Sequence, residues 1–181
     1  MQQVNVYAPN AATDGILSGG PLSEDYKILQ FHFHWGKDSS RGSEHTINGK
    51  EYPIELHIVH YKGSLSNITE ILNTPDGLAV TGFMFEVDTA DNAALKPLTD
   101  ALKNVIASDS SVAFETSGFR VDQLIRDVTP IGGNYKYSHY EGSLTTPTCN
   151  EVVMWINFLQ PLKISEAQLD LFRKRFQTFL N

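Results

Sequence analysis

The stretch Leu29-Gln30-Phe31-His32-Phe33-His34-Trp35-Gly36 constrains this chain more than any other. Side chains alternate faces along a β-strand, so Gln30, His32 and His34 share one side while Leu29, Phe31, Phe33 and Trp35 take the other. Two imidazoles then stand side by side over an apolar backing. The run Ile54-Glu55-Leu56-His57-Ile58-Val59-His60 repeats the arrangement, with Glu55, His57 and Val59 on one face and Ile54, Leu56, Ile58 and His60 on the other. Antiparallel pairing of the two strands brings His57 up to complete a three-histidine cluster.

Three neutral imidazoles with no thiolate or carboxylate beside them suit a catalytic Zn2+ whose fourth position is open; a closed structural site uses four protein ligands. Gln30 and Glu55 are placed to accept the outer ring N–H of His32 and His57, which fixes tautomer and orientation. Each of these histidines taken alone reads as an ordinary sheet residue. Spacing, face and hydrogen-bond partners together favour the metal.

The rest of the chain predicts one domain of mainly β (α+β) class, a central twisted, mostly antiparallel sheet with short peripheral helices. Strands are expected at Gln2–Tyr7, Leu78–Val87, Ser111–Thr116, Asn134–Tyr140 and Glu151–Phe158, the last placing Val153 and Trp155 on one face. Helical segments are expected at Ser64–Leu72, Ala93–Ala107 and Val121–Val128, and a final one opens at Ser165 with Gln168 three residues on, a capping-box pattern backed by Leu169, Phe172 and Phe176. The Asn48-Gly49 pair predicts the hairpin turn that pairs the two histidine strands. With 181 residues, 41% hydrophobic and 19% charged, the composition is that of an ordinary globular domain. A net charge of −7 argues against nucleic acid or an anionic membrane surface as partner, and no apolar run reaches membrane-spanning length.

Five motifs, Gln30–Gly36, Gly42-Ser43-Glu44-His45-Thr46, Glu55–His60, Asp76-Gly77-Leu78-Ala79-Val80 and Tyr140-Glu141-Gly142-Ser143-Leu144-Thr145-Thr146-Pro147, resemble those of alpha-class carbonic anhydrases in content and order. The resemblance implies a zinc lyase that interconverts carbon dioxide and bicarbonate by attack of a zinc-bound hydroxide, sensitive to sulfonamides, with His32, His34 and His57 as ligands. It assigns Thr145 to accept the hydroxide proton while donating its own to a Glu44 carboxylate. It also places Val59, Val80, Leu144, Val153 and Trp155 as an apolar wall for the substrate, with Thr146 nearby; each of these also reads as core. His45 falls between Glu44 and Glu55 in a bridging role, and His60 and His139 are expected away from the metal.

Around Cys149, the only cysteine, Pro147-Thr148-Cys149-Asn150-Glu151 resembles the secreted branch of the family, in which this cysteine pairs with one near the N-terminus. The sequon Asn67-Ile68-Thr69 agrees with a secreted parent. Against the family pattern, 1–181 is expected to be a catalytic core incomplete at both ends. No histidine precedes His32, and Gln2 falls where the family carries its proton-shuttling histidine, with Asn5 at a polar pocket position, so the proton shuttle is unassigned. Uncovered strand edges predict a homo-oligomer. The rival reading is a non-catalytic binding or scaffold member, although such relatives typically lack one or more zinc histidines and this chain keeps all three.

Overall fold

The alternating run becomes a ten-residue strand at the heart of a mixed sheet. The structure, a computed structural model, describes residues 2–6, 15–103, 119–129 and 135–174. Its strands are β1 (Gln2–Val6), β2 (Ile16–Leu17), β3 (Tyr26–Trp35), β4 (Ile54–Lys62), β5 (Leu78–Asp88), β6 (Tyr137–Gly142) and β7 (Val153–Ser165). Their order is β1-β3-β4-β5-β7-β6, with β2 beside β3. Among the described residues only β5 and β7 run parallel; the other pairs are antiparallel. Around the sheet lie α1 (Ile68–Ile71), a 3-10 turn (Ala93–Leu95), α2 (Lys96–Leu102), α3 (Val121–Ile125) and α4 (Glu166–Lys174). This is the single mainly β domain that the patterning predicts. Among the described residues no helix is long and apolar enough to cross a membrane.

The two faces of the sheet separate structure from chemistry. Phe31, Phe33, Trp35, Ile54, Leu56, Ile58, Phe83 and Phe158 form the main core with Leu98 and Leu102 of α2 and Leu169 and Phe172 of α4. Phe83 stacks on Phe158 at 4.6 Å and 7°, and each such fully buried side chain contributes roughly 1.5–3 kcal/mol. The opposite face carries the histidines and a smaller apolar cluster containing Val59, Val80, Val153 and Trp155. A capping box fixes α4 over the main core: the Gln168 amide donates to Ser165 Oγ (3.1 Å) and the Ser165 amide to Gln168 Oε1 (3.4 Å).

Three expectations change in detail. Leu29 does not join the apolar face: the β3–β4 register skips it, and it is 37% exposed at a bulge that restores the alternation from Gln30 onward. Asn48-Gly49 does turn, with φ of 53° and 78°, but it closes only the small Ile47–Lys50 bridge inside the connection between β3 and β4. Antiparallel pairing of the histidine strands is instead enforced by their own ladder. The strand expected at Glu151–Phe158 starts at Val153 and runs on to Ser165, because Leu162 and Ile164 extend its buried face. The strand expected at Ser111–Thr116, the end of the Ala93–Ala107 helix and Phe176 lie outside the described residues.

Candidate metal centre

Register places the histidines. His32 on β3 faces His57 on β4 directly, and His34 faces Glu55, so two antiparallel strands deliver all three imidazoles to one spot. Their ring centroids are 4.8–5.1 Å apart. All three side chains are buried, and one nitrogen from each lies within 4.8 Å of the others.

Proton positions follow from the neighbours. Gln30 Oε1 lies 3.0 Å from His32 Nδ1, and an amide oxygen only accepts, so His32 carries its proton on Nδ1 and leaves Nε2 bare. Glu55 Oε1 lies 2.7 Å from His57 Nε2, so His57 carries a proton there, and the tautomer that can ligate a metal is bare at Nδ1. These two bare nitrogens face each other at 3.2 Å. Two buried lone pairs repel unless a cation lies between them. A tetrahedral zinc with nitrogens at about 2.0–2.1 Å separates its ligand atoms by about 3.3 Å, so the spacing fits the ion. His34, whose ring nitrogens are buried without hydrogen bonds, completes the set. Burial first, and then the neighbouring imidazoles, lower the pKa values of His32 and His34 to about 3, which keeps both rings neutral and able to ligate at ordinary pH.

Glu55 anchors the outer layer. Its carboxylate is 0% exposed and accepts four bonds: Oε2 from the amides of Glu44 (2.8 Å) and His45 (2.9 Å), Oε1 from His45 Nδ1 (2.7 Å) and His57 Nε2. Burial pushes its pKa up, but the bonds from His45 and His57 outweigh burial and hold it well below the usual carboxylate range. The loop reaches Glu55 because residue 42 is glycine. Gly42 has φ of 155°, and a Cβ there would meet Pro53 O at 2.2 Å.

The remaining predicted residues divide. His45 Nδ1 lies against Glu55 Oε1, and its Nε2 meets Tyr140 Oη at 2.6 Å. Val59, Val80, Val153 and Trp155 are buried in one cluster with Leu144 packed against it, and Trp155 Nε1 donates to Ser143 O. Glu44 Oε2 is 3.4 Å from His34 Nε2 and 3.9 Å from His57 Nδ1 and has no hydrogen-bond partner among the described residues, Thr145 included. Thr145 and Thr146 are exposed. His60 is buried on the core side against Ala79 O (3.2 Å), and burial lowers its pKa to about 4. His139 is exposed near Tyr137, across the strand from Tyr140. Asn5 pairs with His32 and Gln2 with Trp35 along the β1–β3 ladder. Sequence reasoning missed Tyr140 as part of this layer; it lies 95 residues from His45, and only the β6–β7 register, which sets it opposite Trp155, reveals it.

Comparison with known proteins agrees with this layout. The family model for eukaryotic-type carbonic anhydrases matches residues 2–180. Carbonic anhydrase 7 of Mus musculus is 42% identical over 159 residues, 87% of this chain and 57% of that protein. The carbonic anhydrase-related protein of Homo sapiens is 36% identical over 165 residues, 88% of this chain and 53% of that protein. The chain therefore spans about half the length of the curated relatives it matches. A match over almost every residue, joined to three converging imidazoles on paired strands, establishes that the chain belongs to the eukaryotic-type carbonic anhydrase family.

Proposed function

We propose that this chain holds one zinc ion through His32, His34 and His57 and interconverts carbon dioxide and bicarbonate. The observation that carries the reading is the pair of bare, buried nitrogens on His32 and His57 facing each other at 3.2 Å with His34 beside them. When bound, zinc on three neutral imidazoles supplies an acidified water; the near-neutral pKa is the value known for carbonic anhydrase itself. The protein's own groups do the rest. Gln30 and Glu55 hold the ligand protons on the outer nitrogens. Val59, Val80, Val153, Trp155 and Leu144 offer an apolar wall to a small neutral substrate, to which the family resemblance adds Thr146, exposed here. Glu44 Oε2, a buried acceptor without a donor, supports its role as acceptor for the Thr145 hydroxyl, an arrangement that orients the attacking oxygen.

Zinc content and stopped-flow hydration test the reading together: one zinc per chain, sulfonamide-sensitive hydration, and loss of both in His57→Ala. Thr145→Ala should depress hydration with zinc retained. A second reading, a zinc-binding module without turnover, is favoured by the exposure of Thr145 away from Glu44, and full zinc occupancy with no hydration above the buffer rate selects it. We also propose a secreted parent, supported by the exposed Asn67 of the sequon; a glycan mass on Asn67 after secretory expression tests this.

A further inference from the structure

A carboxylate oxygen joins the three imidazoles on the side where they converge. Glu44 Oε2 lies 3.4 Å from His34 Nε2 and 3.9 Å from His57 Nδ1. It is buried, and among the described residues it has no hydrogen-bond donor. Ligand atoms around a tetrahedral zinc stand about 3.3 Å apart, so this oxygen keeps ligand spacing from His34 and lies somewhat wide of it from His57. The backbone aims it there. The amides of Glu44 and His45 both donate to Glu55 Oε2, at 2.8 and 2.9 Å, and so fix where the Glu44 side chain starts. The segment carrying Thr145 is tied elsewhere: the Leu144 amide donates to Asn150 O (3.0 Å), the Trp155 indole to Ser143 O (3.0 Å), and Asn150 Nδ2 to Leu72 O (3.1 Å). Both ends of the segment are pinned while Thr145 and Thr146 stay outside.

We propose that, while Thr145 stays outside, Glu44 Oε2 serves as a fourth protein ligand to the zinc held by His32, His34 and His57 and closes the position a water would otherwise take. The inference rests on the zinc reading above. It makes the site self-inhibited, because a metal with four protein ligands has no acidified water to offer. The same oxygen is the acceptor assigned to the Thr145 hydroxyl, so a segment that swings in to bond it draws it off the metal and opens the fourth position. Zinc-binding module and hydrating enzyme are then two states of one chain, and the placement of residues 144–150 decides between them.

Cobalt(II) in place of zinc makes the fourth position readable without turnover, since a water that binds a paramagnetic ion and exchanges with solvent speeds the relaxation of bulk water protons. The cobalt-loaded wild-type chain should show little of this. Glu44→Gln, whose amide is a far poorer ligand, should raise the relaxation by about three- to tenfold, the gain for a position open in about 10–30% of wild-type molecules. Glu44→Asp keeps the charge but withdraws the oxygen by one methylene, and it should rise as well, which separates ligation from electrostatics. Thr145→Ala removes the competitor for Glu44 and should stay at the low wild-type level. Wild-type relaxation equal to that of Glu44→Gln, a rise in Glu44→Gln with Glu44→Asp unchanged, or a rise in Thr145→Ala overturns the proposal. Failure of the wild-type chain to bind one zinc or cobalt ion overturns the metal reading itself, and the capping with it.

Discussion

Replacing Glu55 by glutamine separates the metal function of this outer layer from its part in folding. The carboxylate takes four donors; an amide has one oxygen and an NH2 group, so one pair of donors must face the NH2. The amides of Glu44 and His45 are fixed in the backbone and cannot become acceptors, so the oxygen must stay on their side and the NH2 must face His45 Nδ1 and His57 Nε2. If both rings kept their protons there, two buried donors would be orphaned at about 1–3 kcal/mol each, a large part of the 5–15 kcal/mol that holds a domain together. Both rings can instead move their protons. His45 then donates from Nε2 to Tyr140, and His57 donates from Nδ1 across the 3.2 Å gap to His32 Nε2. That exchange rescues the fold and places a proton where the proposed zinc would sit. The metal-free variant should therefore melt only a few degrees below wild type, at about 2–4 °C per kcal/mol for a domain of this size. Zinc affinity should fall at least 10- to 100-fold, read by chelator competition beside calorimetry. Wild-type zinc affinity in Glu55→Gln, or a metal-free chain that fails to fold, refutes this chain of reasoning.

Gly82→Ala tests the packing behind Glu55, because its Cβ would lie 2.2 Å from Asn157 Oδ1 and 3.3 Å from Glu55 Oε1; a loss of about 1–3 kcal/mol in denaturant melts is expected, with partial recovery in the double variant with Asn157→Ala. His60 has a folded pKa of about 4, below its model-peptide value of 6.5, so the unfolded chain takes up the proton first. The share of stability due to His60 is then complete above about pH 6.5 and falls by up to about 1.4 kcal/mol per unit toward pH 4, beside losses of the same sign from His32 and His34, and a denaturant midpoint equally steep across that window in His60→Ala refutes it. Under the proposed hydration activity, raising imidazole buffer should increase kcat, since Gln2 and Asn5 carry side chains that do not titrate near neutral pH; buffer-independent turnover would point to another carrier. Among the described residues β6 has a strand on one side only and exposes Tyr140 on that edge strand, so the chain is expected to self-associate at tens of micromolar, and a monomer by light scattering under reducing conditions counts against it.

The convergence of the three histidines was legible because a strand converts sequence parity directly into sides: once His32, His34 and His57 are on strands and the strands pair, little freedom is left. Gln30 and Glu55 follow from the same parity, two residues before the histidine each supports. The capping box at Ser165 was legible for a similar reason, since both partners lie within one helical turn. What the sequence hid depends on contacts between distant segments or on local departures from regularity. The Leu29 bulge shifts register by one residue without any glycine or proline to mark it. The Asn48-Gly49 turn is locally as strong as expected, yet whether it joins two long strands or a two-residue bridge is decided by the length of chain on either side. The Tyr140 hydroxyl meets His45 only because of how β6 lies against β7. The Thr145–Glu44 pairing shows the same division. Glu44 is delivered beside the imidazoles by a loop tied to Glu55, whereas Thr145 sits on an exposed segment whose amide and carbonyl bonds, such as Cys149 N–H to Thr146 O, are mostly its own. Strand parity fixes the three histidines and a loop tied to Glu55 fixes Glu44, whereas no such tie holds the Thr145 side chain, which is why the proposed ligands and the proposed Thr145–Glu44 pair are placed to such different degrees.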